Sequence, residues 1–586
     1  MAGFFSLVLT GVPAQAAVKK PVSVFPAPGT PVASENTTIS FRGLKPKELG
    51  SLTVIATESG RHGGSRLAHS DGRGVSFVPK RAFVPGELVK VRTRKRIALT
   101  RNGDFNFRIG KFYGNDDKKG KPGTPNTNPK LESRPDLKPT VINVLKSTPG
   151  ATSGKNFYAA KGDGLSISDN AGRVSWFRPT AFGGKGDQVL NFQAQKYEDK
   201  PVLTYWKGSY SAQSFSQIGR FEILNRKYNK IASFKPGNGY EADIHEFHIT
   251  PRNTAMVLAY RGVKVDLSKY GGDKNGKVLD NVIQEIDIKS GAVLFEWHSI
   301  GNVGFGAVEI PPVSGVAWDY FHLNSIASDG GSILTSARFN STIYRINRKN
   351  ARVQWKLRGD GVKPRTNSFK MGNGTTFAFQ HDAVRLPNGD ISLFDNGVQP
   401  GVRVVNPCSA GLVLRLSNKG KQRRADLVSR VEHPDCLVAN SQGSSQLLDN
   451  GNTFVGWGSL KQMTEFNPTG EVVFDATTPA STISSYRAYK FNWKGFPKDR
   501  PAIASEADGE GATVWASWNG ATVGEWKVLT GSNDDDLNEV GSSVWKNLET
   551  SISIPTVGAK VRVVAYDPEG KQIGQSGLID VGKQSR

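Results

Sequence analysis

Residues 281–297 read NVIQEIDIKSGAVLFEW, an alternating apolar strand, a polar turn that starts at Asp287, and a second strand that ends in aromatic residues. This pattern predicts a half-buried antiparallel hairpin. Five more segments have the same form: GLSISDNAGRVSWF (164–177), GRFEILNRKYNKIASF (219–234), STIYRINRKNARVQWKL (341–357), GLVLRLSNKGKQRRADL (411–427) and KQMTEFNPTGEVVFDA (461–476). They recur at intervals of about 60 residues, enough chain for one four-stranded antiparallel sheet.

No segment keeps a helical periodicity over a long stretch, and many of the 65 glycines stand in Asn-Gly or Asp-Gly pairs. Such pairs are typical of hairpin turns. The sequence therefore predicts an all-β protein in which residues 141–497 form a six-bladed β-propeller, one blade for each repeat. The alternative is a long two-sheet sandwich whose hairpins resemble one another by chance.

Short strand-like segments at the spacing of a β-sandwich stand on both sides of the repeats. Residues 20–112 resemble an immunoglobulin-like sandwich, residues 113–140 a polar linker, and residues 498–586 a fibronectin-like or immunoglobulin-like sandwich. We expect these two modules to flank the propeller.

The first 18 residues, MAGFFSLVLTGVPAQAAV, contain a short apolar run that ends in small residues. This pattern predicts a signal peptide over residues 1–18, cleaved after Ala16, and the alternative is a buried strand. No later run reaches the roughly 18 apolar residues that a transmembrane helix needs. We therefore expect a protein that is secreted or associated with the cell envelope, without a transmembrane segment.

The chain carries 76 Lys and Arg against 52 Asp and Glu, a net charge of +24. The basic residues are spread along the chain rather than gathered on one motif, which argues against a nucleic-acid partner. In an exported protein this charge would attract anionic substrates or an anionic cell envelope or wall polymer, and solubility alone is the other interpretation. Cys408 and Cys436 are the only cysteines. Their spacing is not that of a zinc site, and we expect them to form one disulfide in an oxidising compartment.

Three histidines occupy the same place in three repeats. A second repeated element precedes four of the hairpins, and His245, His322 and His381 each stand eight residues before its own turn, at Asn253, Gly330 and Gly389, with Gly443 at this position in the fourth. Equivalent positions on the innermost strands of a propeller converge on the central channel. We therefore expect these three side chains to meet in space.

Two arginines follow the same turns and are placed to line this region, Arg338 as the stronger candidate and Arg261 as the weaker. A guanidinium group makes forked hydrogen bonds to tetrahedral oxyanions, and a nearby imidazole can transfer protons or attack. Asn324, two residues after His322, adds an amide donor. The set predicts a site for an anionic sulfuryl or phosphoryl group, and a three-histidine zinc site is the alternative.

Several of these segments carry a family resemblance. DIHEFHITP, WDYFHLNSIAS, TSARF, FQHDAVRLPNGD, GWGSLKQMTEFNPTGEVVFDA and SYRAYKFNW resemble the arylsulfotransferase family, in particular its second branch, over roughly residues 150–497. The resemblance implies an exported six-bladed propeller that moves a sulfuryl group from a phenolic sulfate ester to a phenolic acceptor. It implies a sulfohistidine intermediate, no nucleotide sulfate donor and no cofactor.

The resemblance also assigns residues. The nucleophilic histidine of the family's Gln-His motif corresponds to His381, the His-x-Asn pair to His322 and Asn324, the following arginine to Arg338, and the remaining histidine to His245, with His248 as the alternative. The family's later hydroxyl-bearing residue has no clear counterpart, and Ser444 or Ser445 is the candidate. Aromatic residues such as Tyr486 and Tyr489 are candidates to stack on phenolic rings, although each is also a candidate for the propeller core.

Three other functions remain open at this point. The first is a non-catalytic propeller that binds cell-envelope polysaccharide, since a fold alone does not decide function. The second is a quinone-dependent redox enzyme, which the segment around Asp287 resembles but whose propellers have eight blades as a rule. The third is hydrolysis of the sulfate ester, with water in place of the acceptor phenol.

Overall fold

The computed structural model describes residues 21–113, 128–160, 162–180, 187–211, 216–308, 310–361, 368–419, 422–479, 484–509 and 511–584. The predicted signal peptide and part of the predicted linker lie outside these residues. The described residues form strands and four short 3-10 helices, Pro46–Glu48, Ser268–Tyr270, Phe305–Ala307 and Arg338–Asn340, with no α-helix among them. The all-β prediction is confirmed, and none of these helices is long and apolar enough to cross a membrane.

The N-terminal residues form two four-stranded sheets. Their strands are β1 Ser23–Phe25, β2 Ile39–Arg42, β3 Leu52–Ala56, β4 Gly60–His62, β5 Gly64–Ala68, β6 Gly74–Pro79, β7 Leu88–Thr93 and β8 Phe105–Arg108. The strand orders are β1-β2-β6-β5 and β4-β3-β7-β8. Side chains of both sheets, such as Phe41 and Val91, share one apolar core. This arrangement follows from the alternation of the sequence, which turns every second side chain of β7 inward.

The central part of the chain is made of hairpins that assemble into six larger sheets. The strands are β9 Asn143–Ser147, β10 Lys155–Ala160, β11 Gly164–Ser168, β12 Val174–Pro179, β13 Asp187–Tyr197, β14 Lys200–Ser211, β15 Ser216–Leu224, β16 Lys230–Phe234, β17 Phe247–Ile249, β18 Thr254–Val265, β19 Gly276–Asp287, β20 Val293–His298, β21 Leu323–Asp329, β22 Ser332–Ala337, β23 Thr342–Asn347, β24 Val353–Arg358, β25 Lys370–Met371, β26 His381–Arg385, β27 Ile391–Asp395, β28 Val398–Gln399, β29 Arg403–Val404, β30 Ala410–Lys419, β31 Gln422–Glu432, β32 Ser444–Leu447, β33 Thr453–Gly456, β34 Gln462–Phe466, β35 Val472–Thr477 and β36 Ser485–Phe491. Strands β28 and β29 pair only with each other.

The first sheet has the order β12-β11-β10-β36, the second β13 to β16, the third β17 to β20 and the fourth β21 to β24. The fifth has the order β25-β31-β30-β27-β26, and the sixth runs from β32 to β35 and ends in β9. All six hairpins predicted from the repeats are present as antiparallel pairs. The first and sixth sheets each combine strands from distant parts of the chain, because β36 joins β10 and β9 joins β35.

One strand at the edge of each sheet faces the others, and we call these six strands, β36, β13, β17, β21, β26 and β32, the inner strands. Contacts run between successive inner strands in this order and return from β32 to β36. An apolar cluster also fills the space between each pair of successive sheets. These clusters include Phe157 with Phe192, Phe221 with Phe247, Trp297 with Phe321, Leu334 with Leu393, Phe394 with Trp457, and Tyr158 with Phe454.

The C-terminal residues form a further pair of sheets with their own core around Trp526 and Val563. The strands are β37 Ala502–Asp508, β38 Gly511–Ser517, β39 Glu525–Gly531, β40 Asn538–Val544, β41 Glu549–Ile554, β42 Lys560–Tyr566, β43 Gln572–Gln575 and β44 Ile579–Asp580. One sheet is β37-β38-β41, and the other is β40-β39-β42-β43 with β44 paired to β42. Cys408 and Cys436 form the predicted disulfide, which joins the chain on either side of the β30–β31 hairpin.

Candidate active site

The three histidines of the repeats lie where inner strands begin. His245 precedes β17, His322 immediately precedes β21, and His381 is the first residue of β26. The rings of His245 and His322 are 4.9 Å apart between centroids. Tyr486, on the inner strand β36, bridges the group, with centroid distances of 5.7 Å to His245 and 6.4 Å to His381. The structure therefore brings together the three histidines that the repeat register singled out.

The backbone at this site departs from regular strand geometry. The pairing of β21 with β22 is irregular just after Leu323, and that of β26 with β27 just after His381. His322 has a φ of 56° and Asp382 a φ of 55°, a left-handed conformation that is uncommon outside glycine. Such bulges redirect side chains at the ends of strands, and strained residues collect at functional sites. The irregularities here sit directly beside two of the three histidines.

Each histidine is held through Nδ1. Asp243 Oδ1 lies 2.8 Å from Nδ1 of His245, Asp319 contacts Nδ1 of His322, and Asn396 Oδ1 lies 2.7 Å from Nδ1 of His381. Because Nδ1 is occupied in all three rings, Nε2 is the nitrogen left for chemistry. Nε2 of His381 accepts a long hydrogen bond of 3.2 Å from the backbone N–H of Gln442.

Arg338 reaches the same region from the short helix that follows β22. Its Nη2 donates to Gln399 Oε1 at 2.5 Å and to the carbonyl of Asn440 at 2.8 Å, while its buried Nε has no hydrogen-bond partner among the described residues. Burial lowers the pKa of Arg338 to about 10, so the group stays positive at neutral pH. A guanidinium with a free buried donor beside three imidazoles suits an oxyanion.

Burial, together with the charge of Arg338, holds the pKa of His381 well below its usual value near 6.5. Burial also lowers the pKa of His322, although Asp319 opposes the effect. A histidine with a lowered pKa is neutral at neutral pH, and its unprotonated nitrogen is then a nucleophile. His381 therefore has the charge state that attack on an electrophile needs.

A buried ionic group around Arg487 includes the residues next to His245 and His381 in the chain, and it joins four sheets. Arg487, on β36, donates to Glu246 at 2.7 Å, lies 3.3 Å from Asp382 and donates to the carbonyl of Asn324 at 2.7 Å. Tyr489 donates to Asp382 at 2.9 Å. The partners of Arg487 come from the third, fifth and fourth sheets, so one side chain of the first sheet contacts residues of three others.

Asn324 lies beside this group. Its amide donates to the carbonyl of Gln380 at 2.7 Å, while its buried Oδ1 has no hydrogen-bond partner in the described part of the chain. One of its two amide hydrogens is therefore committed to the protein.

The structure does not bring three of the predicted residues into the cluster. Arg261 donates to Glu35 of the N-terminal sheets, and its guanidinium lies 3.8 Å from the ring of Phe112. Ser444 donates to the carbonyl of Ala488 at 2.7 Å, a bond that ties β32 to β36.

His248 is the third. It lies on β17, its charged neighbours are Glu246 and Arg348, and Arg348 belongs to the outer turn between β23 and β24. These residues were predicted from register or resemblance alone, and a shift of one or two positions along a strand changes the direction of a side chain.

The sequence analysis missed the partners of the histidines. Asp243 and Asp319 were detectable as acidic residues two and three positions before their histidines. Asn396 is the first residue of an Asn-Gly pair, which is typical of a hairpin turn. The sequence therefore gave no sign that its side chain contacts a histidine. The part of the chain that the structure describes contains no group of three or more His, Cys, Asp or Glu side chains placed to hold a metal ion.

Residues 193–478 match the sequence model of the arylsulfotransferase (ASST) family, a little under half of the chain. The match includes all three histidines and Arg338, and it supports an arylsulfotransferase-like function at the level of the family. No curated protein matches the chain.

Among solved structures, the chain is similar to a protein of unknown function from Bacteroides caccae (14% identity, TM-score 0.35, covering 58% of this chain and 100% of that one). It is also similar to the Dos1 propeller (10%, TM-score 0.24, 69% and 76%) and to virginiamycin B lyase from Staphylococcus aureus (8%, TM-score 0.27, 65% and 96%). Likenesses of this size carry no information about what this chain does.

Proposed function

Starting from the match of residues 193–478 to the arylsulfotransferase family, we propose that this protein transfers a sulfuryl group from a phenolic sulfate ester to a phenol through a sulfohistidine at His381. The observation that carries the proposal is the convergence of His245, His322, His381 and Arg338 in one buried cluster. Such a reaction needs a nucleophile, a proton-transfer group and a cation for the sulfuryl oxygens. This cluster supplies each of them.

In the first half-reaction, Nε2 of His381 attacks the sulfur and the bond from sulfur to the phenolic oxygen breaks. Sulfur takes the place of the Gln442 N–H, a weak partner at 3.2 Å. Arg338 and Asn324 hold the sulfuryl oxygens. The leaving phenolate takes a proton from a protonated His245.

In the second half-reaction, an acceptor phenol gives its proton back to that histidine while its oxygen attacks the sulfur. The nitrogen–sulfur bond breaks and its electron pair returns to Nε2 of His381. Both halves are in-line displacements at one sulfur atom, and the product sulfate ester leaves with the enzyme restored.

The fold that belongs to this function is a six-bladed propeller over residues 141–497. The circuit of contacts among the inner strands, the six apolar clusters between sheets and the pairing of β36 with β10 and β9 with β35 support it. Residues 20–112 and 498–586 are the two flanking sandwiches, and residues 113–140 are the linker after the first.

We place the protein outside the cytoplasm, as a secreted or envelope-associated enzyme. The small-residue pattern of residues 1–18 and the disulfide between Cys408 and Cys436 support this location. The net charge of +24 would concentrate anionic sulfate esters near the protein and would also favour contact with an anionic wall polymer.

The test is release of nitrophenol from 4-nitrophenyl sulfate by the purified protein, with and without phenol, for wild type, His381→Asn and a control, His433→Asn. His433 is buried beside Trp457 and outside the cluster. Release that depends on phenol, disappears in His381→Asn and persists in His433→Asn is expected.

Equal release of nitrophenol without phenol would show that the protein hydrolyses the sulfate ester instead of transferring the sulfuryl group to a phenol. No release with any phenolic pair, from folded protein, would overturn the enzymatic proposal and favour a non-catalytic propeller that binds envelope polysaccharide.

A further inference from the structure

The three clustered histidines differ in the chemical nature of the group that holds Nδ1. His245 and His322 face the carboxylates of Asp243 and Asp319, whereas His381 faces the amide of Asn396. A carboxylate stabilises a positively charged imidazolium, and a neutral amide does so far less. Since the three rings are otherwise close together and buried, this difference separates their chemical properties.

The orientation of the Asn396 amide is decided by its other contacts. Its Nδ2 donates to the carbonyls of Ala439 at 2.8 Å and of Gln442 at 3.1 Å. A flipped amide would place an oxygen against both carbonyl oxygens, so Oδ1 is the atom that faces His381. Nδ1 of His381 must therefore carry a hydrogen.

A second contact gives the same answer independently. The backbone N–H of Gln442 points at Nε2 of His381 from 3.2 Å. A backbone N–H can only donate, so Nε2 must be the unprotonated nitrogen. Gln442 has a φ of 65°, a conformation that costs free energy and directs its N–H group. Two separate hydrogen bonds thus select one tautomer of a neutral ring.

We propose that Asn396 is a positioning residue that makes His381 the nucleophile of the cluster, while Asp243 assigns proton transfer to His245. This inference deepens the proposed sulfuryl transfer, and the role of His381 as nucleophile rests on that proposed function. The tautomer of His381 does not depend on any activity. The three rings lie in one cluster, and the group opposite Nδ1 is an amide at His381 and a carboxylate at the other two.

The chemistry of the sulfohistidine explains why an amide suits His381. When Nε2 bonds to sulfur, the ring becomes a cation with a hydrogen on Nδ1, and Asn396 Oδ1 accepts that hydrogen bond without removing the proton. The ring therefore leaves as a neutral imidazole when the nitrogen–sulfur bond breaks. A carboxylate would draw the Nδ1 proton away, strengthen the nitrogen–sulfur bond and slow the second half-reaction.

A carboxylate suits a proton-transfer histidine for the opposite reason. A general acid must present a proton on Nε2 until the phenolate leaves, and a carboxylate at Nδ1, such as that of Asp243 at His245, accepts the hydrogen bond of the other ring nitrogen. The charged and titratable groups that face His381 are Arg338, His322 and His245, whose charges lower its pKa, together with its chain neighbour Asp382 and the ring of Tyr486, 6.4 Å away between centroids.

The first arm of the test is nitrogen NMR of protein labelled with ¹⁵N only in histidine, with His381→Asn to assign the signal. In wild type at pH 7, His381 is expected to be neutral with its hydrogen on Nδ1. In free histidine the hydrogen on Nε2 is favoured, so this outcome is not the default. A hydrogen on Nε2 of His381 would overturn the inference, whatever the activity of the protein.

The second arm compares two leaving groups, 4-nitrophenyl sulfate and phenyl sulfate, because the poorer one needs more help from a general acid. Asn396→Leu is expected to slow the first half-reaction about 100-fold with both donors, since it impairs the nucleophile. Asp243→Asn is expected to slow the reaction of phenyl sulfate at least about 10-fold more than the reaction of 4-nitrophenyl sulfate, since it impairs proton donation to the leaving group.

Asn452→Leu is the matched control. Asn452 is buried and its amide also donates to a backbone carbonyl, that of Gly150, but it lies in the sixth sheet away from the histidines. It should leave both rates and the tautomer unchanged. If Asn396→Leu and Asn452→Leu slow both donors alike, Asn396 has only a structural role and the inference fails. An inactive wild type with the expected tautomer would instead count against the proposed function alone.

Discussion

Tyr486 differs from an ordinary core side chain in its neighbours and in its hydroxyl group. Its ring lies between His245 and His381, and its buried hydroxyl has no hydrogen-bond partner among the described residues. Burial holds the pKa of that hydroxyl far above its usual value near 10, so it remains a donor. A buried donor without a partner costs free energy unless a ligand completes it. Tyr486 therefore offers a hydroxyl for a ligand at the cluster, and Ser445 has a buried hydroxyl that also lacks a partner among the described residues.

Tyr486→Phe should lower activity without lowering the stability of the fold. Loss of a donor to the transferring group lowers kcat/KM for 4-nitrophenyl sulfate by about 100-fold. Removal of an unpartnered buried hydroxyl leaves the thermal midpoint unchanged or slightly higher. Steady-state kinetics and a melting curve of the same sample check both. Unchanged kinetics would show that the hydroxyl does not touch substrate, and a lower midpoint would show that it has a protein partner.

The pH dependence of the first half-reaction follows from the lowered pKa of His381. Because burial and Arg338 keep the ring neutral, attack on the donor should persist as the pH falls from 7 through 6.5, and its half-maximal rate should lie well below pH 6.5. The same shift contributes stability that is present above about pH 6.5 and is lost as the pH falls through the lowered value. The rate constant of the nitrophenol burst, from samples quenched into alkali at successive times, measures this rate, and a midpoint at or above pH 6.5 would contradict the prediction.

At the scale of elements, β36 is the strand that joins the end of the repeat region to its beginning. Its residue Lys490 is buried and forms an ion pair of 2.6 Å with Glu465 of the sixth sheet, both side chains being at most 1% exposed. Lys490 also lies over the rings of Phe454 and Phe474. The pair links the first sheet to the sixth, where the contacts among the inner strands return to their start.

Lys490→Met should be strongly destabilising. It leaves Glu465 buried without its counter-charge, an arrangement that costs about 3–5 kcal/mol. We expect a thermal midpoint lower by about 5 °C, with part of the loss recovered in the double variant Lys490→Met and Glu465→Gln. Differential scanning calorimetry measures both. A single variant as stable as wild type would mean that the pair does not hold the sheets together.

At the scale of the whole molecule, the N-terminal sheets are bound firmly to the third sheet. Phe25 packs against Phe295 with 4.9 Å between ring centroids, Ser70 donates to Asp287, and Phe112 pairs with Val263 as an isolated bridge. Arg261 donates to Glu35 across the same junction. The C-terminal sheets contact the first sheet in a similar way, for example where Val174 donates to Asn547 at 2.8 Å.

Arg261→Gln tests whether this arginine serves the junction or the substrate. Because its guanidinium is committed to Glu35 and Phe112, we expect the KM for 4-nitrophenyl sulfate to stay unchanged while the thermal midpoint falls by about 3 °C. Glu35→Gln is the matched variant and should lower the midpoint to a similar degree. A tenfold higher KM at unchanged stability would return Arg261 to the list of substrate-binding residues.

Local sequence patterns determined a large part of this protein. Alternation and turn chemistry act over a few residues, so the six hairpins, the strand-rich flanks and the shared position of His245, His322 and His381 could be predicted before any coordinates. The disulfide between Cys408 and Cys436 could be predicted because the chain has no other cysteine.

Only the tertiary structure decided which polar groups meet. Asn396 holds His381 across a β-hairpin, Tyr486 reaches two histidines from the last inner strand, and Arg261 is bound by Glu35 of another unit. Side-chain direction and hydrogen-bond partners depend on strand register and on how the sheets pack, and neither quantity is encoded within a short window of sequence. The histidines could therefore be found from the sequence, whereas the groups that set their protonation could not.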